Sequence, residues 1–552
     1  MVFFIRRIYK ITLFFLLIVT ALLLRLFYLQ AMEENKLASQ SLSGRIYEMP
    51  VEVARGEILD RNGTPLTNTA LHFKAILFPR YIKDQKKTAQ SLSSLANEKA
   101  ETILAEFPQT DHPFQLHTEL DALAAKKVSS LKLPGVIVVG ERMRYGYSSL
   151  ASHVVGYINS ADNKGVSGIE GMYDSVLRGS RPEYVAAIVD AGRRIIPGLG
   201  YKRLRMGNGA EPNNIILTID SNIQKIVENV MDQKITKGAV VVMRPSTGEI
   251  LAMASRPNFD ANNLSNYLQK DTAPLMNRAL AAYPPGSVFK LVIAAAALEN
   301  NLVHPDDLFF DPGYIDVNHQ RFRGWDYDTG GLGNLTFTEA LAYSSNPVFI
   351  QTGLKIGANR LIAYAKRFGF GSRTKLDFSG EAAGNLPEPD TMYAGDLANL
   401  SIGQGSLEVT PLQIAVMLST IVNDGIKVAP SVVRRLTAAD GTTLKSYPLS
   451  AGTRIISQTT AAQLKKMMYE VTRIGTGKEA YIEGAGAAGK TGTAETGRFD
   501  ANGRGINHAW FAGYTPLINP KYVIVVLVED GMSGEDVAAP IFHAIATQIL
   551  KQ

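Results

Sequence analysis

The stretch G484-A-G-A-A-G-K-T491 satisfies G-x-x-x-x-G-K-[ST] at every fixed position, and two incompatible folds follow from how it is read. A phosphate-cradling loop needs a buried apolar strand before the glycines and a helix after the lysine, because the free N–H groups at that helix start hold the phosphates. The flanks supply neither. E470-VTRIGTGKEAYIE483 is not a buried strand, and G492-TAETGRFDANGRG carries too many glycines to open a long helix. ATP binding is therefore excluded, and the register shifts to K490-T-G-T493, four residues of strand type preceded by glycines.

Outward from this stretch the pattern is α+β. S221-NIQKIVENVMDQKI reads as a helix, A239-VVVM and E249-ILAMAS as a hairpin joined by the turn PSTG at Pro245 to Gly248, and K521-YVIVVLVED as a buried strand followed by a closing helix, Asp536 to Leu550. One antiparallel sheet assembled from both ends of the domain accounts for this order. The run PPGSVFKLVIAAAALEN, Pro284 to Asn300, opens on proline and glycine and continues as a buried alanine-rich helix expected to start near Ser287. Ser287 and Lys290 then project from one helix face. A serine hydroxyl becomes a nucleophile when a base takes its proton, and a lysine serves only when neutral. Burial and a second nearby lysine lower its pKa from about 10.4 to 7 or 8, a change of about 3 to 5 kcal/mol.

The chain has 552 residues with 46% hydrophobic content, enough for about two to four domains. Its 57 Lys+Arg against 51 Asp+Glu, without a long like-charge run, describe a solvated surface rather than a nucleic-acid binder. The absence of cysteine excludes disulfides and thiolate metal sites. After Arg6, Arg7 and Lys10, the nineteen residues Ile11–Leu29 contain one charge, Arg25. As a helix they reach about 28 Å, close to a bilayer core. No small-x-small cleavage site follows in Y28-LQAMEENK, so the expectation is an uncleaved single-pass anchor, with a cytoplasmic N-terminus and the rest outside. Short strands at K74-AILF and in the run PGVIVVG that starts at Pro134, and a helical surface segment at roughly 84–130, come next. G207-NGAEPNN214 is a candidate boundary because every residue in it is small, polar or proline.

S344-S-N346 lies 57 residues after Ser287, and K490-T-G begins 144 residues after Asn346. The ordered set S-x-x-K, S-x-N, K-T-G is shared by penicillin-binding proteins and serine β-lactamases. R55-GEILDRNGTPL66, G165-VSGIEGMYDSVLRG179, L217-TID, T247-GEILAM, S401-IGQG405 with T410-PLQ413, and A509-WFAGY514 extend the similarity over nearly the whole chain. The sequence thereby resembles the class B penicillin-binding proteins, with Arg244 departing from the acidic residue expected there.

That resemblance implies a cytoplasmic tip and anchor (1–30), an elongated mixed α/β pedestal or dimerisation module (31–210) and a transpeptidase domain with an antiparallel sheet flanked by helices (211–552). It implies that Ser287 is acylated by the penultimate D-alanine of a peptidoglycan stem peptide and that Lys290 takes its proton. Ser344 would relay a proton to the leaving amine, Asn346 bind the peptide and Lys490 supply positive charge. Thr491, Gly492 and Thr493 would bind the substrate carboxylate end, with the N–H groups of Ser287 and Thr493 as oxyanion hole. A second stem's amine would complete the crosslink, without metal or cofactor. β-Lactams would acylate Ser287, and a membrane glycan-strand polymerase and other cell-wall synthesis proteins would be partners. A non-catalytic scaffold or β-lactam sensor is one alternative. A serine β-lactamase is another, for which E381-AAGN385 has the Glu-x-x-x-Asn form that positions a hydrolytic water, although G380-EAAGNLP387 also resembles a class B loop.

Overall fold

A computed structural model describes residues 2–31, 46–51, 55–108, 111–146, 150–159, 162–180, 183–190, 201–205, 209–376, 378–500 and 502–552. Residues 32–36, just after the apolar stretch, and Gly207 and Asn208 of the expected boundary lie outside these. The helix Val2–Ala31 includes Arg7–Gln30, with a mean hydropathy of 2.4 and no buried residues in its most apolar window. By length and composition it can cross a membrane, as the expected anchor requires.

The chain forms two compact units that interleave along the sequence. One comprises Met1–Arg55, Leu71–Met143 and Arg178–Pro212, the other Gly56–Ala70, Arg144–Leu177 and Asn213–Gln552. The expected linear division at 31–210 and 211–552 does not follow this interleaving. The strand Ile58–Leu59 of the R55–L66 motif pairs in parallel with Asn214–Leu217, so it packs with the larger unit. Within the smaller unit, a sheet ordered Phe114–Leu120, Ala70–Leu77, Val136–Met143 packs around Leu77, Leu92, Ile103 and Leu116. Its helices Gln85–Ala96 and Ala122–Ser130 are capped by Asp84 and Asp121, whose carboxylates accept from Lys87 N and Ala124 N. The strand Phe114–Leu120 corrects the all-helical reading of 84–130. F-Q-L-H-T-E-L alternates apolar and polar residues, the period of a half-buried strand.

The larger unit is built on a five-stranded sheet. In chain order its strands are β1 (Gly238–Met243), β2 (Ile250–Arg256), β3 (Ala488–Phe499), β4 (Gly505–Thr515) and β5 (Tyr522–Gly531). Their spatial order is β2-β1-β5-β4-β3, every neighbour antiparallel. The two ends of the domain thus meet where β1 pairs with β5, Val241 opposite Val525. The apolar runs of β1 and β5 reflect burial on both faces. One face packs on the helices α1 (Ser221–Lys234) and α7 (Ala539–Leu550), with Phe511 and Phe542 in a tilted ring contact at 4.7 Å. The other packs on α2 (Lys290–Glu299), α5 (Pro411–Val422) and α6 (Gln458–Arg473). Between α2 and α5 in sequence lie α3 (Phe337–Ala342) and α4 (Asn346–Ile356). Thr410 and Gln413 form a reciprocal capping box on α5, which explains the T410-PLQ413 motif as a helix start.

Candidate active site

Ser287 sits on a one-turn 3-10 segment, Gly286–Phe289, and the α-helix begins only at Lys290. The expected α-helical start at Ser287 is thus one turn early. Pro284 and Pro285 have no N–H to give, and Gly286 adopts φ +56°. A Cβ on Gly286 would lie 2.4 Å from Thr493 O, so the nucleophile turn rests directly on β3. Gly286 N donates to Gly403 O at 2.9 Å, and Gly403, at φ +73°, would place a Cβ 1.9 Å from Gly286 O. The S401-IGQG405 motif is therefore the backbone bed of the nucleophile. Trp510 Nε1 adds a bond to Pro284 O at 3.0 Å.

Beneath Ser287 two lysines converge on Ser344. Lys290, fully buried in α2, donates from Nζ to Ser344 O and Asn346 Oδ1, both at 2.7 Å, and lies 3.3 Å from Ser344 Oγ. Lys490, fully buried in β3, donates to Ser344 Oγ at 2.9 Å and to Thr491 O at 3.1 Å. Ser344 presents its carbonyl and hydroxyl together because its backbone is left-handed, φ +61°, an uncommon state for serine. Burial, and after it the Lys490 charge, hold the Lys290 ammonium well below the usual lysine range, against the opposing pull of Asp311 and Asp326. Burial lowers Lys490 to about 7, with Glu535 opposing. A neutral Lys290 amine has two N–H donors, which the Ser344 carbonyl and Asn346 amide oxygens absorb. Its lone pair is left to accept a proton.

A cavity of about 780 Å³ opens over this cluster, lined by Ser287, Ser344, Asn346, Thr491 and Thr493. It is also lined by residues that the sequence motifs did not single out. Thr476, following α6, bonds its hydroxyl to that of Thr491 at 2.6 Å. Trp325 stands exposed with Nε1 bonded to Tyr343 O at 2.9 Å, and Arg321 and Arg323 lie over the rings of Tyr314 and Tyr327. Glu495, Glu535 and Asp536 line the cavity as well. No motif announced these residues.

Comparison with known proteins agrees with this geometry. Residues 238–547 match the penicillin binding protein transpeptidase domain, and residues 50–202 the penicillin-binding protein dimerisation domain. The chain belongs to the penicillin-binding protein family. It is 32% identical to stage V sporulation protein D of Bacillus subtilis over 99% of this chain and 86% of that one. To peptidoglycan D,D-transpeptidase MrdA of Escherichia coli it is 28% identical, covering 96% and 92%. Penicillin binding protein 3 of Mycobacterium tuberculosis, solved with aztreonam, matches with a TM-score of 0.65 at 27% identity, covering 91% of this chain and 96% of that one.

In this penicillin-binding protein the contacts around the motif residues add physical content to the sequence expectations. A Cβ on Gly492 would lie 2.8 Å from Val288 Cγ2 and 2.9 Å from Pro285 O, so its lack of a side chain makes room for the nucleophile turn. Asn346 lines the cavity, accepts from Lys290 Nζ through Oδ1 and donates from Nδ2 to Arg323 O at 3.1 Å, which adds a hold on the base. Glu381 accepts Thr374 N at 2.6 Å and Asn385 donates to Ser406 O, and neither residue lines the cavity. The Glu-x-x-x-Asn form therefore closes a loop here and holds no hydrolytic water over Ser287. Arg244, the departure from the family pattern, lies 3.4 Å from buried Glu249 at the β1–β2 turn.

Proposed function

We propose that the chain is a peptidoglycan D,D-transpeptidase working through a Ser287 acyl-enzyme. The observation that carries this reading is the buried Lys290–Ser344–Lys490 relay, whose Ser344 lines one large cleft together with Ser287. Lys290 takes the Ser287 proton as Oγ attacks the penultimate D-alanine carbonyl. The backbone N–H groups of Ser287 and Thr493 receive the oxyanion. Ser344, held by both lysines, passes a proton to the departing D-alanine amine. The Thr491 and Thr493 hydroxyls, with Lys490, hold the terminal carboxylate. Attack by an amine of a neighbouring stem reverses these steps and leaves a crosslink. A β-lactam takes the donor's place and stalls at the acyl-enzyme, since Glu381 and Asn385 stand away from the cleft and activate no water there.

The anchor places the catalytic unit on the outer face of the membrane in this reading, and the 31–210 region serves as the pedestal that meets a glycan-strand polymerase and other cell-wall synthesis proteins. Fluorescent penicillin separates the alternatives. Wild type should take up label and retain it for hours, and Ser287→Ala should take up none. An unlabelled wild type contradicts the acyl-enzyme, and label lost within seconds indicates a β-lactamase.

A further inference from the structure

Two buried carboxyl groups that the mechanism does not use lie within electrostatic reach of Lys290. Asp311, fully buried at the end of the strand Leu308–Asp311, accepts from Gly313 N at 2.7 Å through Oδ1 and from the Ser345 hydroxyl through Oδ2. Asp326, 1% exposed, has neither carboxyl oxygen bonded to any described residue. The loop after it packs onto the Asp311 turn. Gly331, at φ +85°, would place a Cβ 2.5 Å from Asp311 O, and a Cβ on Gly313 would meet Tyr327 Cα at 2.9 Å.

We infer that Asp311 is a positioning residue for the reaction, acting through Ser345 on the left-handed turn from which Ser344 reaches both lysines, and setting a buried carboxylate within electrostatic reach of Lys290. This rests on the transpeptidase reading of the site. Ser345, also fully buried, caps α4 by accepting Val348 N at 3.3 Å while donating to Asp311. Asp311 thereby ties the helix start, and the residue before it, to the adjacent strand. The charge follows from the same contacts. Asp311 has two hydrogen-bond donors, as a buried carboxylate requires, whereas neither carboxyl oxygen of Asp326 meets another described residue's donor. Burial, and after it the Asp311 charge, raise Asp326 from the ordinary carboxylate value, against its own backbone N–H and Lys290. Four ionisable side chains thus share this interior: Lys290 from α2, Lys490 from β3, Asp311 from its strand and Asp326 from its loop, with Glu535 near Lys490. The Asp311 carboxylate thus opposes the neutralisation of Lys290 that burial and Lys490 drive.

The test is the rate of acylation by fluorescent penicillin from pH 5 to 10, using the full-length protein in detergent. For Asp311→Asn, loss of the opposing charge favours neutral Lys290 at lower pH. The acidic limb should move down by about one pH unit, and the plateau should fall ~10-fold or more. Ser345→Ala keeps the carboxylate, so its plateau should fall with the limb in place. An unmoved limb in folded Asp311→Asn overturns the charge assignment. If that variant does not fold, Asp326→Asn decides the point, because a downward limb shift there would place the charge on Asp326. A wild-type plateau in Ser345→Ala overturns the positioning role. Acylation absent from wild type would instead contradict the transpeptidase reading itself.

Discussion

Ser344 is held by two buried lysines whose removal should have separable effects. Replacing Lys490 with Met removes the like charge that depresses Lys290. Lys290 then binds its proton more tightly, and the acidic limb of acylation moves to higher pH, with the maximum rate reduced about 100-fold. The substitution also bears on stability. Lys490 titrates near 7 in the fold and near 10.4 in the unfolded chain, so between those values the unfolded state binds the extra proton and stability rises with pH. Below about pH 7 the full penalty, about 3 to 5 kcal/mol, applies. Lys490→Met should therefore raise the melting temperature at pH 6 by several degrees and flatten its rise toward pH 10, as calorimetry can show. Ser287, Lys290, Ser344, Asn346 and Lys490 were legible as motif positions of the family the sequence resembles, and the fold brings Lys290, Ser344, Asn346 and Lys490 into one hydrogen-bonded cluster. Asp311, Thr476 and Trp325 were not, since each acts through a contact with a residue far from it in sequence.

Among elements, the contact between the nucleophile turn and its backbone bed governs the geometry of attack. Gly286, Gly403 and Gly492 leave no volume between this turn, the S401–G405 loop and β3. Gly403→Ala combines a left-handed φ with a Cβ inside van der Waals contact of Gly286 O. It should cost at least about 2 kcal/mol and slow penicillin acylation more than ~10-fold in the folded fraction, measured by thermal melts beside labelling rates. The sequence showed β1, β2 and β5 through their apolar runs and α2 through its alanines, whereas β4 was visible only as the A509-WFAGY514 motif. It did not show that Ser287 precedes the α-helix, because that depends on Gly286 turning left-handed against Thr493. Nor did it show the strand Phe114–Leu120, whose short alternation is hidden in a lysine- and alanine-rich surrounding.

For the whole molecule, the helix Val2–Ala31 and the catalytic cleft are separate functions of one chain. Deleting residues 1–30 should move the protein from the membrane to the soluble fraction while leaving the rate of penicillin acylation within about 2-fold, as fractionation and labelling of the same lysates would reveal. The stretch G484–T491 shows how local pattern and global fold divide the information. Gly484 and Gly486 are left-handed turn residues, and Lys490 and Thr491 lie in β3 opposite Ala512 and Phe511. A strand in that position excludes the helix start that a phosphate loop requires. The central claim, that Ser287 carries the acyl group, is tested most directly by digesting penicillin-treated protein and locating the adduct by mass spectrometry. The account predicts one added penicilloyl mass on the peptide containing Ser287 and none in Ser287→Ala. An adduct on any other residue, or one that persists in Ser287→Ala, would contradict it.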